Sequence, residues 1–123
     1  MMRSNFLSYG IAMALFLSFF GKKSAMKIME YADRTIAVVV DLTGVERTDI
    51  LSKCKTINIV DARWMVVKLL REAGYYPSEI APIMGMTIRQ VQSIITEFDA
   101  RLKYSDPMLR INYAAAVNHL RSN

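Results

Sequence analysis

The chain has 123 residues, enough for one compact domain and too few for a nucleotide-hydrolysing module beside a second folded unit. Sixteen Lys and Arg against eleven Asp and Glu give a formal net charge of +5, which favours an anionic partner without naming it. A single Cys54 and a single His119 exclude an internal disulfide framework, a structural zinc site and a sulfur cluster.

The run from Phe6 to Phe20 carries no charge and is apolar apart from Ser8, Gly10 and Ser18. A bilayer core needs about 20 apolar residues in a helix, so the uncharged stretch from Ser4 to Gly21 is at the short edge of a span. A secretory signal fits less well, because Gly21-Lys22-Lys23-Ser24 stands where a small-x-small cleavage site belongs. Were the run an anchor, Lys22, Lys23 and Lys27 would keep the remainder in the cytoplasm, tethered to the inner face of the membrane. Alternatively, Met26 is the natural start and the preceding residues are a gene-calling artefact. Residues 1–25 are therefore set apart from a domain over 26–123.

From Ile28 to Leu42, Ile28, Met29, Ala32, Ile36, Val39 and Val40 recur at three- and four-residue steps, with Glu30, Asp33, Arg34 and Asp41 opposite, which predicts an amphipathic helix. Gly44 is placed to end it, and Glu46 to Ser52 predicts a brief second helix. Lys53 to Asn58 lacks periodicity and reads as a basic loop in which Asn58 would cap the next helix. Ile59 to Ala73 then places Ile59, Ala62, Met65, Val66, Leu69, Leu70 and Ala73 on one stripe. Pro77 suits the first position of a fourth helix running to Met84, with Glu79 favourable to its dipole. After Gly85, Thr87-Ile88-Arg89-Gln90 has the form of a capping box that starts a fifth helix. That helix buries Val91, Ile94, Ile95, Phe98 and Leu102. Asp106-Pro107 opens a last helix to about Leu120. No strand alternation is sustained, so the expected fold is all-α: a small helical bundle behind an N-terminal hydrophobic segment.

A short helix, a glycine turn and a capped helix with an apolar inner and a polar outer stripe have the pattern of a helix-turn-helix. That motif projects the start of its second helix into the major groove of duplex DNA. Arg89, Gln90, Ser93 and Thr87 lie on that start, where Arg suits guanine O6 and N7, Gln suits adenine N6 and N7, and Ser is less selective. The same arrangement also suits a solvated helix face in any bundle. From Lys53 to Arg71 there are five positive residues, with Asp61 the only negative one. Lys53 and Lys55, near a helix start, are candidates for a phosphate clamp. Arg63 and Lys68 are equally placed to pair with Asp61 and Glu72 on their own helix.

Residues 35–102 resemble a known family through Gly44-Val45, Asp49-Ile50-Leu51-Ser52-Lys53, Ile59-Val60-Asp61-Ala62-Arg63, Leu69-Leu70-Arg71-Glu72 and Ser78-Glu79-Ile80. The chain is similar there to the C-terminal DNA-binding domain of the bacterial replication initiator DnaA. The resemblance implies sequence-specific binding to double-stranded DNA in replication initiation or its regulation, with Lys55 entering the minor groove and Arg63 contacting phosphate. Trp64 replaces the family's Gln, so that contact is lost and either an exposed aromatic or an extra core anchor takes its place. In the reading helix the family's R-D-H-T-T-V becomes Met86-Thr87-Ile88-Arg89-Gln90-Val91, so recognition of the family's own binding box is not expected. No G-x-x-x-x-G-K-[ST] phosphate loop is present, which leaves the DNA-binding part without the ATPase motor.

No Ser, Cys or His lies in a recognisable catalytic motif, so no enzyme activity, small-molecule substrate, cofactor or metal is expected. Cys54, between two lysines, is either a thiol of lowered pKa able to sense oxidation or a tolerated small side chain. Tyr75 and Tyr76 are expected to pack the connector before Pro77, with phosphate within reach of either hydroxyl. Two further readings use the same residues: a transcriptional repressor, and a membrane-tethered helical interaction protein whose basic residues meet anionic lipid.

Overall fold

The computed structural model describes residues 22–122, and the hydrophobic segment 6–20, with its anchor or artefact alternatives, lies outside them. Six helices make up the described chain: α1 (Lys22–Thr43), α2 (Arg47–Ile50), α3 (Ile57–Glu72), α4 (Pro77–Met84), α5 (Ile88–Tyr104) and α6 (Pro107–Arg121). No strand occurs among these residues, and the fold is all-α.

The helix α3 is the centre of the bundle and touches each of the other five. This explains why its buried set, Ala62, Arg63, Met65, Val66, Val67, Leu69 and Leu70, is wider than one amphipathic stripe: Val67 joins the core from the opposite flank. Ala73, expected inside, is exposed because α3 ends at Glu72 and the chain turns there into the connector. The cap expected at Asn58 is also displaced. The helix begins one turn-fraction earlier, with Thr56 at the N-cap and Asn58 exposed in the first turn. The apolar period alone did not register Ile57, which is 68% exposed and so adds nothing to the stripe.

The helix α1 packs on α3 and α6 through Ile28, Met29, Ala32, Ile36 and Val39. It extends back to Lys22, crossing residue 26 without a break. Arg47 of α2 bonds Asp33 of α1 at 2.7 Å, which fixes the corner after Gly44. The connector is packed by one of its two tyrosines: Tyr75 is half-buried against the Tyr31 ring at 5.6 Å, whereas Tyr76, expected to pack as well, is 63% exposed because it stands at the N-cap of α4. Phe98, fully buried on α5, lies 5.0 Å from the Tyr113 ring on α6. Truncating such a ring to Ala costs about 3–5 kcal/mol.

Helices α4 and α5 meet through a three-residue connection. The helix α4 ends at Gly85, whose φ of 65° and ψ of 34° lie in the left-handed region. A side chain there strains the backbone, which is why glycine occupies the position. Two residues later Thr87 and Gln90 close the capping box: Gln90 N donates to Thr87 Oγ1 at 3.1 Å and Thr87 N donates to Gln90 Oε1 at 2.8 Å. The last helix starts likewise, Asp106 Oδ1 accepting from Met108 N at 2.9 Å ahead of the buried Leu109.

Candidate nucleic-acid interface

The start of α5 faces outward. Thr87, Ile88, Arg89 and Gln90 are exposed, as are Gln92 and Ser93 one turn on, whereas Val91, Ile94 and Phe98 are buried beneath them. The inner stripe therefore anchors the helix while its polar flank is left to solvent. The Arg89 side chain has no ion-pair or hydrogen-bond partner among the described residues.

Two adjoining clefts collect the residues singled out from the sequence. One, of about 430 Å³, has Arg89, Gln90, Ser93 and Thr87 on one wall and Arg63 and Trp64 on the other. The second, of about 600 Å³, joins Lys53 and Lys55 of the basic loop to Gly85, Met86, Thr87 and Gln90. Arg63, Met86, Thr87 and Gln90 border both. All seven candidates, from three separate stretches of chain, thus share one face. Their cations are Lys53, Lys55, Arg63 and Arg89, and among the described residues no Asp or Glu lines either cleft.

Arg63 sits deeper than the others. Only 8% exposed, it donates from Nε to the Ile50 carbonyl at 2.8 Å and from Nη2 to the Asp49 carbonyl at 3.1 Å. Those carbonyls belong to the end of α2, where a helix leaves acceptors unsatisfied and carries partial negative charge. Burial lowers the Arg63 pKa from its ordinary value, yet an arginine remains charged throughout the physiological range. Its guanidinium therefore fastens the root of the basic loop and contributes positive potential to the cleft floor. The same-helix pairing open to it is not formed: Asp61 instead holds Arg101 of α5, and Lys68 pairs with Glu72 at 3.5 Å.

The loop itself is ordered by short side-chain bonds. Ser52 Oγ donates to the Asp49 carbonyl at 2.7 Å and accepts the Cys54 amide at 3.1 Å. Lys53 and Lys55 are both exposed on either side of Cys54. The Cys54 Sγ lies 3.4 Å from Thr56 Oγ1, and that hydroxyl lowers the thiol pKa from its usual value.

Trp64 is the residue whose role the sequence left least defined. It is half-buried against the core, forms part of the cleft wall beside Arg89 and Gln90, and is covered by the Arg101 guanidinium at 4.6 Å from its ring centroid. It is an added anchor between α3 and α5, and its position beside the groove could not be read from residue spacing. Among the described residues there is no cluster of His, Cys, Asp and Glu able to hold a metal ion, and no helix is long and apolar enough to cross a membrane. Comparison with family models, with curated proteins and with solved structures finds no match to this chain.

Proposed function

We propose that this protein binds double-stranded DNA sequence-specifically through a helix-turn-helix made of α4, the Gly85 turn and α5, and that it acts in replication initiation or its regulation in the cytoplasm. The observation that carries the reading is the convergence of Lys53, Lys55, Arg63 and Arg89 on one face bordered by the exposed start of α5, with no carboxylate lining the clefts. A major groove about 12 Å wide admits one helix, and base edges are read by side chains near that helix's start. In this arrangement Arg89, Gln90 and Ser93 meet bases, Thr87 fixes the helix start, and Lys53 and Lys55 reach the backbone or the minor groove. Arg63 supports them from below. The role in replication rests on the resemblance of residues 35–102 to the initiator's DNA-binding domain, and the altered reading helix implies a different target. The protein is a binding module and not an enzyme.

The test is retention of mixed-sequence duplex by the full-length chain across a salt series. Binding by phosphate neutralisation lowers log K by about 0.9 per contacted phosphate for each unit of log salt. Association that is undetectable, or unaffected by salt, overturns the reading.

A further inference from the structure

The capping box does more than start α5, because it decides what Gln90 can offer a base. Gln90 Oε1 accepts the Thr87 amide at 2.8 Å, so the carbonyl end of the side chain is tied to the turn. Its NH2 group carries two donors and makes no hydrogen bond to another described residue. Arg89 beside it is exposed and bears donors only. The leading edge of α5 is in this way a front of donors.

In the major groove guanine presents two acceptors, N7 and O6, whereas adenine presents the N7 acceptor next to the N6 amino donor. Reading adenine with both ends of a glutamine requires the Oε1–NH2 edge to face the base so that Oε1 accepts from N6. The oxygen has a second lone pair, but its 2.8 Å bond to the Thr87 amide turns it back toward the turn, so that edge is not presented. Guanine needs only the NH2, which bridges its two acceptors with the capping bond intact. Adenine would set one donor against another. Resting on the duplex-binding reading, we propose that the start of α5 selects guanine over adenine at two base positions, one under Arg89 and a second under Gln90.

The experiment is selection of bound sequences from a randomised duplex pool by the full-length chain, followed by affinity measurements on matched duplexes. Two enriched guanines are expected, and exchanging the one assigned to Gln90 for adenine weakens binding about fivefold or more. The Gln90→Glu variant keeps an oxygen for the Thr87 amide, since Glu serves a capping box as Gln does. It turns the outward group into an acceptor, so enrichment there moves to cytosine, whose N4 is a donor, while the Arg89 guanine persists. An unchanged helical circular-dichroism spectrum establishes that the variant is folded. Adenine enriched at the position that Gln90→Glu alters, or identical preferences in both proteins, overturns the guanine assignment and leaves duplex binding standing. Failure to bind any duplex overturns duplex binding and this assignment together.

Discussion

Arg101 of α5 and Asp61 of α3 form an ion pair across forty residues of chain, and the same guanidinium covers the Trp64 ring. This contact fixes α5 on the central helix behind its exposed start. The two side chains are 24% and 14% exposed, between the surface case, where a pair contributes about 0–1 kcal/mol, and the buried case, where breaking one costs about 3–5 kcal/mol. Arg101→Ala is therefore expected to lower unfolding stability by about 1–3 kcal/mol, measured by urea denaturation. A double-mutant cycle with Asp61→Ala should return a coupling of at least about 0.5 kcal/mol. Strictly additive losses would remove the pair from the account of how α5 is held.

Gly85 controls the angle at which α5 leaves α4. A Cβ there meets nothing within 4 Å, so the penalty of Gly85→Ala comes from the left-handed backbone alone and should be about 1–2 kcal/mol. Asn tolerates that conformation better, so Gly85→Asn is expected to lose less. Equal unfolding midpoints for wild type and Gly85→Ala would show that the turn adopts another conformation.

Lys55 and Arg89 stand on the same face but in different parts of it, and their variants should separate affinity from specificity. Lys55→Ala is expected to weaken binding to all duplexes and to reduce the salt slope by about 0.9. Arg89→Ala should lose about 1–3 kcal/mol on the preferred sequence and relax preference at one position. Matched salt titrations on preferred and scrambled duplexes distinguish the two, and a uniform loss for both variants would place Arg89 on phosphate.

The features legible in the sequence were those set by neighbours in the chain. The Thr87 to Gln90 box, the Asp106 cap, the bounds of α4 and the inward Val91, Ile94 and Phe98 depend on residues three or four apart, so pattern suffices. Asn58 is a stronger capping residue than Thr56 by type, yet the cap falls at Thr56, whose backbone is extended and whose side chain makes no capping bond, so residue type alone does not place that boundary. Contacts across long separations were not legible. Nothing in local spacing says that Arg63 bonds the Ile50 carbonyl, that Arg101 takes Asp61 from its own helix, or that the basic loop borders the Gly85 turn. Each follows from α3 lying at the centre, a position that periodicity signals only indirectly through the excess of apolar residues around it.

Tyr113 gives the fold an alkaline limit. Its phenol packs against Phe98, and burial, with smaller contributions from Glu72 and Asp99, raises its pKa from 10.0 to about 12. Burial likewise raises Tyr75 above its ordinary value. A group whose pKa is higher folded than unfolded contributes stability that is whole below the unfolded value and lost as pH rises through the folded one. Unfolding midpoints in urea should accordingly hold up to pH 10 and fall between there and about pH 12. Tyr113→Phe removes the ionisable oxygen while retaining the ring, so its decline over that interval should be shallower than that of wild type, the remainder belonging to Tyr75 and other groups. Parallel declines would mean that the Tyr113 hydroxyl is as well solvated folded as unfolded, and that the contact between α5 and α6 is looser than the Phe98 packing implies.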